Sequence, residues 1–256
     1  MSTEQKKITD RKYFVPFVLI TSLFFLWGFA RAILDVLNKH FQNALHISIT
    51  HSSLIQVTTY LGYFLMAIPA GIFINRYGYR RGVVFGLILF GAGSLLFIPG
   101  AAMGSFSAFL LCLFIIGCGL VFLETAANPY VTELGAKETA TSRLNLSQSF
   151  NGLGSLFATF CVGQFLFNNT EEGGNVVVPY TILGILVLLI ALVFSRVHLP
   201  EIKHEVTAED EAKGSNIGKL FAHHGMFVFG LLALLCYEID RKSTRLNSSH
   251  GYSSYA

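Results

Sequence analysis

Residues 106–125 read FSAFLLCLFIIGCGLVFLET, a run of twenty residues with one charged side chain, Glu124. A helix of this length rises about 30 Å, which matches the hydrocarbon core of a lipid bilayer. Five more runs of similar length and character occur at Phe14–Leu37, Ser53–Ile74, Gly82–Pro99, Leu146–Phe167 and Val178–Val197. They lack the alternating pattern of barrel strands, so we predict six membrane-spanning helices and an all-α fold.

The composition also indicates a membrane protein. Hydrophobic residues make up 53% of the 256 residues, charged residues make up 13%, and phenylalanine alone occurs 24 times. A soluble domain of this size could not bury that many apolar side chains or cover its surface with so few charges. Disorder is excluded by the same numbers, because disordered chains are rich in charge and poor in aromatic residues.

Basic residues mark one side of the predicted membrane. That side carries thirteen lysines and arginines, whereas the opposite side carries Lys39 alone. The thirteen are Lys6, Lys7, Arg11, Lys12, Arg76, Arg80, Arg81, Lys137, Arg143, Arg196, Lys203, Lys213 and Lys219. Because basic loops stay in the cytoplasm, we expect a cytoplasmic amino terminus at residues 1–12 and an even number of spans in a bundle at 13–199.

Three further segments follow the sixth span. Residues 200–224 mix acidic and basic side chains, which is typical of a cytoplasmic linker, and residues 225–239 begin a seventh helix too short to cross a bilayer. The last segment, 240–256, has no apolar period. Its residues 240–250, DRKSTRLNSSH, match the translation of a common sequencing-library adapter at all eleven positions. We therefore expect one half of a twelve-helix transporter followed by a non-native tail.

Three ionisable side chains, Arg31, Asp35 and Glu124, lie within the first six spans. Insertion into lipid costs about 2.5–3.5 kcal/mol for each such group, and residues of this kind often mark proton or substrate pathways. We expect Asp35 and Glu124 to face a polar central cavity. The alternative is structural, because Arg31 and Asp35 are four residues apart and could pair to lock a helix interface.

A repeated spacing relates the two acids. Asp35 follows Gly28 by seven residues, and Glu124 follows Gly117 by seven. If the six helices form two inverted three-helix repeats, the first and fourth spans are counterparts. The two acids would then face each other near the middle of the membrane.

The fifth span carries two amides, Gln148 and Asn151, three residues apart and therefore on one helix face. Amides donate and accept hydrogen bonds at once, which suits sugar hydroxyl groups. They also bond between helices in bundles, so packing is the alternative role. Pro129, five residues after Glu124, is expected to bend or end the fourth span.

The turn after the second span reads GIFINRYGYRR at residues 71–81. It resembles the cytoplasmic signature of the major facilitator superfamily, Gly-x-x-x-Asp-Arg-x-Gly-Arg-Arg. The matching positions, to which the resemblance assigns a gating role, are Gly71, Asn75, Arg76, Gly78, Arg80 and Arg81. Asn75 stands where aspartate is usual, and Tyr79 stands where arginine is common. Because asparagine carries no charge, Asn75 cannot make the charge-paired gating contact of the family.

A closer resemblance covers residues 13–167. The segments LFFLW at 23–27, ETAANP at 124–129 and RLNL at 143–146, with Asp35, Gln148 and Asn151, are similar to the bacterial fucose–proton symporter family. The resemblance implies a twelve-helix fold, alternating access, and uptake of a neutral monosaccharide with a proton. L-Fucose is favoured, with glucose, galactose and mannose as alternatives.

The same resemblance implies site residues. It places the proton-coupling carboxylates at Asp35 and Glu124 and sugar-facing amides at Gln148 and Asn151. We expect Glu124 and Arg31 as further substrate contacts. Arg31 is a departure from the family, in which polar, uncharged residues precede the acid of the first span.

The implied protein is a multi-pass transporter of the bacterial inner membrane, monomeric when full length, and not an enzyme. Its partners are sugar, proton and lipid, with no nucleic acid. No cofactor or metal is expected, because the proton gradient supplies the energy and the sequence has no phosphate-binding loop or ligand-spaced cluster. Two other functions stay open. One is a proton-driven exporter of amphipathic compounds, with a more apolar cavity, and the other is a non-transporting scaffold or receptor.

Overall fold

The computed structural model of the chain describes residues 9, 11–44, 49–103, 105–168, 177–197, 229, 230 and 233. The chain divides into two compact units, Met1–Ile202 and Lys203–Ala256. In the second unit the three described residues have helical backbone. The predicted linker at 200–224, the other residues of the seventh helix and the tail at 240–256 lie outside the described residues.

The described part of the first unit is helical, with no strand among these residues. Its α-helices are α1 (Phe14–Ala44), α2 (Ile49–Tyr77), α3 (Tyr79–Leu95), α4 (Phe97–Ala102), α5 (Phe106–Glu133), α6 (Ala140–Asn168) and α7 (Val177–Arg196). The short α4 continues α3 after Leu96, whose N–H donates to the Ala92 carbonyl at 2.9 Å. The six predicted spans are therefore confirmed as helices, with α3 and α4 together forming the third.

Four of these stretches are long and apolar enough to cross a bilayer: Arg11–Ile33, Val57–Tyr77, Tyr79–Gly100 and Phe106–Glu133. A shorter apolar stretch, Tyr180–Arg196, lies in α7. By contrast, α6 is the least apolar of the long helices. Its first half carries Arg143, Asn145, Ser147, Gln148, Ser149 and Asn151.

The packing of the bundle centres on α5. This helix packs against both α2 and α3, while α1 packs mainly against α6 and α3 against α7. Large side chains such as Phe24, Phe90 and Leu120 are fully or almost fully buried between them. Large apolar side chains such as Phe64 and Phe160 are more than 70% exposed, which suits a protein whose solvent is lipid.

Two glycines bring the backbones of α1 and α6 into contact. A Cβ atom added at Gly28 would lie 1.9 Å from the carbonyl oxygen of Asn151, and one added at Gly154 would lie 2.1 Å from that of Phe25. No side chain larger than hydrogen fits either position. Small residues of this kind are the usual means by which membrane helices approach closely.

The α2–α5 interface repeats this arrangement. A Cβ atom at Gly117 would lie 2.6 Å from the carbonyl oxygen of Thr59, and one at Gly62 would lie 2.8 Å from that of Phe114. The offsets are constant: 89 residues separate the α1 positions from their α5 counterparts, and 92 separate the α2 positions from those of α6. The contacts thus support the predicted repeat, with α1 corresponding to α5 and α2 to α6.

Pro129 does not end α5, because this helix continues through the proline to Glu133. Of the two outcomes that the sequence predicted, termination at this proline is wrong. In membrane helices, neighbouring helices and hydroxyl groups can compensate for the missing backbone donor.

Arg143 is a buried structural residue rather than a loop cation, which corrects its place in the charge count above. Its side chain is 0% exposed, near the start of α6. The Nε atom donates to the Val131 carbonyl at 3.1 Å, and Nη2 donates to the Thr132 and Ala136 carbonyls at 2.5 and 3.1 Å. Nη1 donates to the Thr139 hydroxyl at 2.7 Å. The guanidinium thereby satisfies carbonyl groups where α5 ends and joins that end to α6.

Candidate functional site

An open cleft of about 660 Å³ runs between α2 and α5. Its lining residues are Tyr60, Tyr63, Phe64 and Ala67 of α2, with Val121, Glu124, Thr125, Asn128 and Pro129 of α5. The cleft combines a carboxyl group, hydroxyl groups and an amide with aromatic rings. It can therefore offer hydrogen bonds and apolar contact to a small polar molecule.

Glu124 stands where three helices converge. It is half-buried in the wall of the cleft, and it also borders a small cavity against Phe24 and Trp27 of α1. The predicted intramembrane acid is thus accessible from the cleft on its α2 side and adjoins α1 on the other side. Asn128, four residues further along α5, borders both spaces with it.

Arg31 is the charged neighbour that the sequence paired with Asp35. Its side chain is exposed on α1, and its charge interacts with that of Glu124. The side chain of Asp35 lies outside the described residues, so the predicted Arg31–Asp35 pairing stays a prediction. Its backbone position is in α1, 89 residues before Glu124, which is the offset that relates the two repeats.

Gln148 and Asn151 both make hydrogen bonds between helices. The Gln148 Nε2 atom donates to the Asn128 side-chain oxygen at 3.3 Å, and the Asn151 Nδ2 atom donates to the Phe24 carbonyl at 3.2 Å. The structure therefore connects Gln148 to the cleft through Asn128 and ties Asn151 to α1. Each amide has one more N–H and a carbonyl oxygen beyond the bond described, so packing and binding roles are chemically compatible.

The residues of the signature turn lie elsewhere, at the junction of α2 and α3. Gly78 has a φ of 89°, a conformation that favours glycine and lets α3 begin directly after α2. Arg80 donates from Nε to the Phe194 carbonyl at 3.3 Å and from Nη2 to the Ser195 carbonyl, which caps the end of α7. Of the six signature positions, Asn75, Arg76 and Arg81 are exposed, and the guanidinium of Arg76 lies 5.5 Å from the centre of the Tyr77 ring.

No member of that turn lines the cleft, as far as the described residues extend. A Cβ atom added at Gly71 would have no atom within 4 Å. This glycine therefore has no close helix contact of the kind made by Gly28 and Gly117.

Tyr60 and Tyr63 line the cleft, although the sequence did not single them out, and Trp27 was quoted only as part of LFFLW. The Trp27 Nε1 atom donates to the Tyr63 hydroxyl at 3.2 Å, and the rings of Tyr60 and Tyr63 lie 6.3 Å apart. A signal for the tyrosines does exist, because two hydroxyl-bearing aromatics three residues apart share one helix face. Their position beside Glu124, however, depends on the packing of α2 against α5.

Residues 20–244 match the family model of the Major Facilitator Superfamily. The chain is 39% identical over 225 residues to the L-fucose-proton symporter of Haemophilus influenzae, covering 78% of this chain and 53% of that protein. It is 37% identical over 245 residues to the glucose/galactose transporter of Brucella abortus, covering 93% of this chain and 59% of that protein.

A solved structure gives the same picture. The crystal structure of the E. coli fucose:proton symporter FucP, in a variant form, superposes with a TM-score of 0.67 at 33% identity, covering 79% of this chain and 55% of that chain. The chain therefore spans a little over half the length of the relatives that it matches.

Proposed function

The chain belongs to the major facilitator superfamily, and we propose that it supplies one half of a proton-coupled importer of a neutral monosaccharide. One observation carries the proposal: Glu124, a half-buried acid within an apolar helix, opens onto a cleft lined by hydroxyl and amide groups. Placing an acid inside a membrane-spanning helix is energetically costly, and acids in such positions commonly carry protons.

Glu124 and Asp35 are the proposed proton carriers. Their positions correspond in the two repeats, and the positive charge of Arg31 acts on Glu124. Protonation of Glu124 would remove its attraction to Arg31, so the charge arrangement of the cleft would change with each proton bound. Each proton that moves inward gains about 2.3 kcal/mol per 100 mV of membrane potential, which drives sugar accumulation.

The sugar would bind to Gln148 and Asn151, with Glu124 and Arg31 as further contacts. The names of the relatives support a monosaccharide, since they include an L-fucose-proton symporter and a glucose/galactose transporter. We favour L-fucose, and competition between labelled L-fucose and unlabelled glucose or galactose would decide between them.

The proposal also covers the transport mechanism, the location of the protein and its source of energy. The transporter works by alternating access in the bacterial inner membrane, as a monomer when full length, with a cytoplasmic amino terminus. It is driven by the proton gradient without a cofactor. The signature turn at the junction of α2 and α3 takes part in gating, and the Arg80 bonds to the end of α7 would hold the turn in place.

The test replaces Glu124 by glutamine in a full-length transporter that contains this half. Glutamine resembles the protonated acid in shape and hydrogen bonding but cannot ionise, so it cannot release or take up a proton. We expect Glu124→Gln to abolish accumulation of labelled sugar in energised cells while sparing exchange of sugar against sugar. A proton uncoupler should abolish accumulation by the unmodified transporter in the same way.

Glu133→Gln is the matched control, because Glu133 is an exposed acid at the end of the same helix. It should leave accumulation unchanged. Normal accumulation by Glu124→Gln would refute the proposed proton role. Efflux of amphipathic compounds without sugar uptake would favour the exporter, and no flux of either kind would favour the scaffold or receptor.

A further inference from the structure

We propose that Tyr63 is a sugar-binding residue whose hydroxyl group is oriented by Trp27. The inference rests on the proposed function and adds to it a contact from α2, the helix that faces Glu124 across the cleft. It comes from the hydrogen bond between the two side chains and from the position of Tyr63 in the cleft wall.

The direction of the Trp27–Tyr63 hydrogen bond is fixed by chemistry. An indole N–H can only donate, so the Tyr63 oxygen must accept this bond at 3.2 Å. A phenol can donate one bond in addition to those it accepts. With a lone pair occupied by Trp27, the Tyr63 proton remains available to an acceptor in another direction.

The surroundings of Tyr63 indicate that its hydroxyl proton points towards the cleft. Trp27 is 8% exposed and held among the buried side chains of α1, where its ring meets that of Phe24 edge to face. It therefore forms a rigid support behind the phenol. Tyr63 itself is half-buried and lines the cleft together with Glu124.

The charged and titratable groups around Tyr63 come from three helices. Arg31 of α1, Glu124 of α5 and Tyr60 of α2 all act electrostatically on its hydroxyl group. An ionised Glu124 is the strongest acceptor in this set. Tyr63 and Glu124 line the same cleft, so a sugar held there can accept from the Tyr63 hydroxyl while it contacts Glu124.

Tyr63 would thus donate its hydroxyl proton to an oxygen atom of the sugar. The hydroxyl proton selects an acceptor, so it would recognise one particular oxygen of the sugar. Loss of one hydrogen bond of this kind corresponds to roughly a tenfold weaker affinity.

The first measurement examines the Trp27–Tyr63 hydrogen bond in the 256-residue chain. Trp27 is the only tryptophan, so the intrinsic tryptophan fluorescence reports on this residue alone. Tyr63→Phe removes the acceptor and should shift the emission maximum. Tyr180→Phe is the matched control, because Tyr180 lies in α7, stacks on Phe97 at 4.0 Å and makes no hydrogen bond through its hydroxyl within the described part of the chain. It should leave the emission unchanged.

The second measurement uses sugar exchange by a full-length transporter containing this half. Tyr63→Phe should weaken the affinity for the parent sugar about tenfold, and Tyr180→Phe should not. A series of monodeoxy sugars then identifies the contact. For the one analogue that lacks the recognised oxygen, the unmodified transporter and Tyr63→Phe should bind equally well, whereas a merely structural role would weaken every sugar by the same factor.

The outcomes separate this inference from the proposed function. Unchanged affinity of Tyr63→Phe for all sugars, or an equal loss for all of them, would overturn the Tyr63 contact while the sugar function stands. An unshifted Trp27 emission in Tyr63→Phe would overturn the orienting role of Trp27. Absence of sugar exchange by the unmodified transporter would overturn the proposed function and the Tyr63 contact together.

Discussion

At the α1–α6 interface, Gly28 and Gly154 bring the two backbones together, and polar side chains then bond across the contact. Asn151 donates to the Phe24 carbonyl, and the Ser155 hydroxyl donates to the Gly28 carbonyl at 3.0 Å. At the α2–α5 interface, the counterpart glycines make the same kind of approach. Here, however, the helices leave an open cleft beside the contact, lined by Tyr63 and Glu124.

The two interfaces share their backbone contacts but not the side chains around those contacts. The backbone contacts are shared by the two interfaces, because glycine positions are set by how closely the helices must approach. The side chains around those contacts are not shared. Thr59, the counterpart of Asn151, donates to the Ile55 carbonyl of its own helix at 3.0 Å instead of bonding across the interface. The same scaffold thus forms a hydrogen-bonded interface in one copy and an open cleft in the other.

The largest expected effect breaks the backbone contact itself. Gly28→Ala would place a methyl group 1.9 Å from a backbone oxygen of α6, so the helices must separate. Forced packing of this kind costs about 1–3 kcal/mol or more. Gly117→Ala should cost less than Gly28→Ala, because its nearest backbone oxygen is 2.6 Å away. Thermal unfolding of the purified chain in detergent, followed by circular dichroism, measures both.

Gly152→Ala serves as the control for both glycine variants, because a Cβ atom at Gly152 has nothing within 4 Å. It should equal or slightly exceed the stability of the unmodified chain, since alanine favours helix more than glycine does. Equal stability of Gly28→Ala and Gly152→Ala would mean that α1 and α6 do not approach as closely as described.

The next effect concerns binding rather than stability. If Asn151 contacts the sugar, Asn151→Ala should weaken sugar affinity about tenfold in a full-length transporter, without loss of protein from the membrane. Thr59→Ala is the counterpart substitution in the other repeat and should leave affinity unchanged, because its hydroxyl is bonded within α2. Unchanged affinity in Asn151→Ala would assign this amide to helix packing alone.

Much of the scaffold could be predicted from the sequence, because the length of an apolar run fixes a membrane helix directly. The bounds of the sixth span were within one residue at each end, and the shared spacing before Asp35 and Glu124 indicated the repeat. The start of α6 was placed too late. Residues 140–145 include four polar side chains and were excluded from an apolar run, but the buried hydrogen bonds of Arg143 hold the first turn of the helix in place.

Contacts between helices were harder to predict, because they depend on how the helices pack and not on the pattern of any one helix. Trp27 and Tyr63 are 36 residues apart, and their hydrogen bond depends on the rotation and depth of α1 and α2. A periodic pattern gives the buried face of one helix but not the partner of a given side chain on another. The sequence therefore identified Glu124 by its cost in lipid, whereas the aromatic groups beside it required the packed structure.

The smallest expected effect tests the polar side of the α1–α6 contact. Ser155→Ala removes the hydroxyl that bonds to the Gly28 carbonyl, but it leaves Gly28 and Gly154 in contact as before. The Gly28 carbonyl is also an acceptor within α1, so no buried group loses its last partner, and we expect a loss of about 0.5–1 kcal/mol. Ser149→Ala is the control, because Ser149 is an exposed serine of the same helix that bonds only to the Asn145 carbonyl among the described contacts, and it should cost close to nothing. Thermal unfolding of the two variants decides the point: if both lose the same stability, the polar bonds across α1–α6 contribute nothing, and the difference between the two interfaces would lie in the cleft alone.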